Sequence, residues 1–225
     1  MNERIPWDIY VDERRVPGDS ALGFLAVPNT ASFAHKLFRC RQNVPVQGRV
    51  ETRELHWQNL HRGVLPVALK WVECVHQHKG ARFSVLDWPR EQSKEAVVLR
   101  FLGRFCRRLR LVPPFNIVVF LDHDSGHAKS RIQNTIRESG QVSRCYHLDG
   151  ARNDCLQCCD LLLGAMSMLR VSPDVRAESP ELVKSAQRGV KLTNSAVKRL
   201  LAGHVGGYLE AIPKSLFDFR GVSSE

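Results

Sequence analysis

No stretch of this chain comes near the ~18 consecutive apolar positions that a membrane-spanning helix needs. Glycine-rich phosphate loops are missing as well. Neither the dinucleotide fingerprint nor the phosphate-loop motif occurs, which takes support away from nucleotide-cofactor chemistry. There is no internal repeat and no low-complexity tract. The opening Met1-Asn2-Glu3-Arg4-Ile5-Pro6-Trp7 has no apolar core behind its positive charge, so no secretory leader and a cytoplasmic location are expected. Cysteine supplies no framework either: the 7 residues are odd in number and lean toward Cys145, Cys155, Cys158 and Cys159. Cys155-Leu156-Gln157-Cys158 has the spacing of a zinc knuckle or redox pair, but no second pair follows at a fitting distance. Buried reduced thiols are the simpler expectation.

What the chain does carry is basic charge. There are 33 Lys and Arg against 23 Asp and Glu, a formal +10, with a calculated pI near 9.6. That balance favours a polyanionic partner, nucleic acid first, over a merely soluble surface. With 225 residues and 43% hydrophobic composition the chain can bury a core unaided. It fits a domain over residues 1-170 with a C-terminal helical extension over 171-225, since the composition changes past Pro173.

The run Ile9-Tyr10-Val11-Asp12-Glu13 is β-branched and apolar and ends on two carboxylates before Pro17-Gly18 turns the chain. Asn116 to Asp122 and Arg144 to Asp149 repeat the pattern. Continuous apolar runs are the mark of strands inside a sheet, and the carboxyl ends of such strands are where open α/β sheets place ligand groups. Ser20 to Val27 is expected to pair with the first strand as a hairpin. Gly48 to Trp57 is expected as a third strand or a strand running into a loop, and Arg82 to Asp87 as a short one. Helices are expected from Thr30 or Ser32 with Phe33, Leu37 and Phe38 on one face, from Arg62 to His78, and from Pro89 to about Leu111. Later ones follow from Lys129 to Glu138, from an Asn153 or Asp154 cap, and from Ser179-Pro180-Glu181 to about Ala202. The order makes an α/β fold with a mixed β-sheet flanked by helices.

Asp12, Glu54, Asp122, Asp149 and Asp160 fall at or near element ends that such a sheet would bring together. Clustered carboxylates repel unless a divalent cation neutralises them, and an oxygen-only set suits Mg2+ or Mn2+. An acid after a strand is also a common turn former, so each strand-end Asp alone could be a loop cap. Asp160 lies between Cys158-Cys159 and three leucines, where an unpartnered carboxylate is costly; a metal or a network with Gln157 would satisfy it.

These residues resemble, in order and spacing, a family of ribonuclease H-like proteins known as domain of unknown function 3800. The matching pieces are Tyr10-Val11-Asp12-Glu13, Glu54-Leu55-His56, Phe120-Leu121-Asp122, Leu148-Asp149-Gly150 and Gln157-Cys158-Cys159-Asp160. They span about residues 7 to 170. The family pattern has Ser where this chain has Arg14 and Gly150, and Leu-Ala where it has Cys158-Cys159; every carboxylate is kept. The resemblance implies a ribonuclease H-like sheet with acids from the first strand, a middle strand and a late helix.

The expected activity is metal-dependent phosphodiester cleavage. Asp12, Asp122 and Asp160 would hold Mg2+ or Mn2+, with Glu54 or Asp149 completing the set and His56 positioning water or moving a proton. Arg100, Arg104, Arg107 and Arg108 recur at helical spacing as a cationic stripe that could track phosphates. The alternative is a catalytically inactive nucleic-acid-binding or assembly module, with the Arg14 guanidinium standing where a cation would. A third expectation is a mononuclear site in Asp122-His123-Asp124-Ser125-Gly126-His127, which makes Asp124 a further ligand candidate. Strand alternation sends Glu13 to the face opposite Asp12, into an ion-pair or supporting role.

Overall fold

The chain was analysed as a computed structural model that describes residues 6–16, 19–28, 30–43, 54–122, 127–172, 174–188, 191–211 and 217–218. Strand β1 (Trp7–Val16) forms a hairpin with β2 (Asp19–Pro28), and β2 pairs antiparallel with β3 (Arg82–Asp87). On the other side of β1, β4 (Ile117–Asp122) and then β5 (Arg144–Leu148) add in parallel. A two-residue strand β6 (Phe217–Asp218) joins the far edge beside β3, giving the order β5-β4-β1-β2-β3-β6. This is a mixed sheet flanked by helices, the α/β class expected from the element order.

Helices α1 (Thr30–Asn43), α2 (Leu65–Gln77) and α5 (Asp154–Val171) pack on one face of the sheet. Helices α3 (Lys94–Leu109) and α4 (His127–Glu138) cover the other. Period-two alternation divides each strand between the two layers. Tyr10 of β1 lies in the α5 layer, while Ile9 and Val11 lie in the α3 layer. Helix α5 is apolar around most of its circumference because it is enclosed by the sheet and by α2 and α7 (Asn194–Ala211). Gly164 lets it approach the Trp57 ring so closely that an added Cβ would overlap the indole.

Several sequence expectations are corrected. Of the two readings of Gly48 to Trp57, the described part follows the run into a loop: Glu54 to Trp57 is loop, with Leu55 and Trp57 held by side chains of α5, and residues 44–53 lie outside the described residues. Helix α3 begins at Lys94, not Pro89, because Ser93 supplies the cap by accepting from Ala96 N. Phe38 is not on the buried face of α1 with Phe33 and Leu37; it is 48% exposed. The C-terminal stretch is two helices, α6 (Val175–Gln187), with Pro180 inside it, and α7. Val197, Leu200, Leu201 and Val205 of α7 enter the same core as α5. All seven cysteines are free thiols, with Cys155, Cys158 and Cys159 buried. Among the described residues no helix is long and apolar enough to cross a membrane.

Candidate functional site

Asp12 is the fixed point of the site. It follows Tyr10 by one β repeat, so it faces α5 and is 6% exposed, with its Oδ1 accepting from Glu13 N at 2.6 Å. Burial pushes its carboxyl well above the usual carboxylate range, and the charges of Asp160 and Asp122 push in the same direction. Three acids from β1, β4 and α5 thus act on one another. The parallel register Tyr10↔Phe120 and Val11↔Leu121 brings the ends of β1 and β4 side by side. The diagonal run of α5 supplies Asp160.

Each partner acid is held by backbone. Asp122 Oδ1 accepts from Gly150 N at 3.0 Å, and a Cβ on Gly150 would stand 2.6 Å from that same oxygen. The lack of a side chain at 150 is therefore what lets the carboxylate sit against the backbone. Asp160 Oδ2 accepts from Trp57 N at 2.6 Å and faces His56 Nδ1 at 3.0 Å. The other ring nitrogen of His56, Nε2, meets Glu54 Oε1. A ring with both nitrogens against carboxylates must donate from both, so it is an imidazolium. The bond to Asp160 is the main reason that its pKa is pushed up to about 9, against the effect of burial.

Gln157, which is buried, ties the surrounding loops together. Its Oε1 accepts from Leu55 N at 2.8 Å and from Arg41 Nη2 at 2.9 Å, and its Nε2 donates to Gly150 O at 2.9 Å and Ala151 O at 2.8 Å. Both amide atoms are thereby satisfied. One side chain sets the loop that carries Glu54 and His56 against the turn whose backbone holds Asp122. Arg41 also pairs with Asp154 and lies over the Trp71 ring.

The remaining predicted residues lie elsewhere. Asp149 caps the 3-10 turn Gly150–Arg152 by accepting from Ala151 N, and its carboxylate, 54% exposed, pairs with Arg152 at 3.4 Å. Glu13 points to the α3 layer, where Lys94 Nζ stands 2.9 Å from its Oε2. The Lys94 side chain is only 3% exposed at a helix N-terminus, a position that disfavours a cation, so this ion pair is what makes its burial tolerable. Asp124, with its neighbours 123–126, lies outside the described residues.

The arginine stripe is real but distant. Arg104, Arg107 and Arg108 are exposed on α3, while Arg100 is half-buried and donates to Asp87 O at 3.3 Å. Helix α3 starts beside Glu13 and ends near Trp7, where Phe105 packs on the indole at 5.1 Å. At 1.5 Å per residue its last arginines are about 20 Å from the Lys94 end, on the sheet face opposite Asp12. The fold does not bring them to the acids. Arg14, by alternation, shares the face of Asp12 and is half-buried.

A divalent cation is tested by the donor set. Carboxylate oxygens from three elements, one of them buried and repelled by the other two, fit Mg2+ or Mn2+ chemistry. Yet among the described residues no three His, Cys, Asp or Glu side chains are gathered as a ready-made ion site, including the cysteines of α5. The acids are neighbours within electrostatic reach.

Sequence reasoning missed Arg41, Lys94 and an aromatic row on the site's own face. The rings of Tyr10 and Phe120 stack at 5.0 Å and 15°, and Phe120 and Tyr146 at 5.9 Å and 21°. The signal was the spacing of Tyr10 and Phe120, each two residues before an Asp. Beside this row, between α1 and the start of α5, lies a cleft of about 540 Å³ with Tyr10, Phe38, Arg41, Arg152 and Asp154 in its lining.

No protein-family model matches the chain. No curated protein matches it in sequence either. Among solved structures it is similar to a chain in the PCNA:RNase HII complex from Archaeoglobus fulgidus, at 10% identity, with 98% of this chain and 97% of that chain covered and a TM-score of 0.41. Superposition at that level assigns neither activity nor partner.

Proposed function

We propose that this is a ribonuclease H-like, metal-dependent nuclease, as the motif resemblance to the domain of unknown function 3800 family also implies. The observation that supports it is the burial of Asp12 within electrostatic reach of Asp160 and Asp122, which together hold its carboxyl well above the usual range. Those three would hold Mg2+ or Mn2+, which in such sites activates water and stabilises the leaving oxygen of a phosphodiester. Gly150 N orients Asp122, and Trp57 N orients Asp160. His56, held as an imidazolium between Glu54 and Asp160, is placed to hold a proton beside the acids. The net charge of +10 suits DNA or RNA as substrate. Asp12→Asn combined with Asp160→Asn should lower cleavage of labelled DNA and RNA in Mg2+ or Mn2+ by at least about 100-fold, given the several kcal/mol that metal stabilisation supplies. Cleavage equal to wild type sinks the proposal.

One observation favours a second reading, a nucleic-acid-binding module without catalysis: the His56 imidazolium already places a positive charge between two of the acids. Titration calorimetry separates the two. Nucleic-acid binding indifferent to chelator, with no heat on adding Mg2+, would favour the binder.

A further inference from the structure

Among the described residues, the α5 side of the sheet is not covered to its edge. On β5, the edge strand, Arg144 is exposed and Tyr146 is 39% exposed, while Phe120 on β4 is half-buried. The three rings from Tyr10 to Tyr146 form one stacked row across β1, β4 and β5, open at the Tyr146 end. Arg144 Nη1 lies 3.5 Å from the Tyr146 hydroxyl, so cationic charge borders the open ring. Arg152, whose side chain is 89% exposed, stands just beyond the end of β5 and lines the adjoining cleft.

The row is in register with the acids. Tyr10 and Phe120 precede Asp12 and Asp122 by two residues on the same face, and Tyr146 is the β5 partner of Phe120, so the open ring lies one strand across and one strand repeat back from Asp122. A large aromatic ring left open at a sheet edge, with arginines around it, matches the flat faces and anionic backbone of unpaired nucleotides. A stacked duplex does not present its base faces to such a surface.

We infer that Tyr146, backed by Phe120 and bordered by Arg144, is a stacking platform for a single-stranded stretch of nucleic acid that leads to Asp122 and Asp12. This deepens the proposed nuclease reading and rests on it for direction only, because binding to the platform needs neither metal nor cleavage.

The test is fluorescence anisotropy of the full chain with labelled oligo-dT and oligo-U 12-mers and a blunt 12-base-pair duplex, all in chelator. Wild type should bind at least one single strand more tightly than the duplex. Tyr146→Ala should weaken that binding about 5- to 100-fold, the range for losing one base stack, and Tyr146→Phe should restore it. Arg144→Ala should lower the slope of log affinity against log salt by about 1. Unchanged single-strand affinity in Tyr146→Ala, equal losses for single strand and duplex, or a wild-type preference for duplex overturns the platform. So does sedimentation showing a dimer that Tyr146→Ala dissociates, since the face would then belong to a second copy. Asp12→Asn serves as the control that keeps the two readings apart. If it cuts nucleic acid as wild type does while Tyr146→Ala still loses single-strand affinity, the metal reading fails and the platform stands.

Discussion

The two faces of the sheet are built from alternate residues of the same strands, yet they have different chemistry. Toward α3 and α4 the strands give Ile9, Val11, Leu22, Phe24, Val119 and Leu121, sealed by Phe101, Phe105 and Val98. Charges on that side stay outside, or are paired with the opposite sign, as Glu13 is with Lys94 and Arg15. Toward α5 the same strands give Tyr10, Asp12, Phe120, Asp122 and Tyr146, and the helix answers with Gln157 and Asp160. One face is a hydrophobic layer that holds the fold. The other keeps like charges close together, which costs stability and is tolerated because packing elsewhere is sufficient.

The largest effect expected of this contrast is on stability alone. Phe101 stacks on Phe24 at 4.0 Å and 10° and is 6% exposed, so Phe101→Ala should cost about 3–5 kcal/mol in urea unfolding. Whatever folds should keep single-strand binding. A cost below about 1 kcal/mol would mean that the α3 face is not the layer that holds the sheet.

Gln157→Leu should come next, at about 2–4 kcal/mol, because it strands the buried Leu55 N–H and the Ala151 carbonyl and leaves Gly150 O with Asn153 N as its remaining donor. Unlike the Phe101 change it should also loosen the site. Limited proteolysis should cut within 54–64 faster than in wild type, and an unchanged cutting rate there would show that Trp57 in its slot at Gly164 suffices to hold the loop.

The smallest effect has the opposite sign. The folded-state pKa of Asp12 is raised, so the stability contributed by its bound proton is complete below the unfolded value near 3.8 and is lost as pH rises through the folded value. In chelator at pH 7, Asp12→Asn should therefore stabilise the protein. That advantage should shrink as pH falls toward 4. A destabilising Asp12→Asn across that range would mean that the α5 face carries no electrostatic strain.

Much of this architecture was legible in the chain. Apolar runs ending on Asp12 and Asp122 marked two inner strands, and the Pro17-Gly18 turn marked the hairpin. The cap of α5 was readable as Asn153 or Asp154, and the structure assigns it to Asn153, which accepts from Cys155 N and Leu156 N. The failures share a cause. Glu54-Leu55-His56 stayed open between strand and loop because its conformation is fixed by Gln157 and Asp160, more than 100 positions away. Phe38 looked inward because a hydrophobic residue one step from a buried Leu37 fits either side of the boundary of an apolar face.

The arginines of α3 show most clearly where sequence stops. Their spacing determined that Arg104, Arg107 and Arg108 would share a helix surface, since a 3.6-residue period is a local property of the backbone. Which side of the sheet that helix covers is set by the crossover that places Val98 and Phe101 against Phe24 and Val119, and no local pattern encodes it. In the same way, the alternation of β1 determined that Asp12 and Glu13 would part company. Only the packing of α5 across the sheet, close at Gly23 against Leu163, decided that three scattered carboxylates would feel one another.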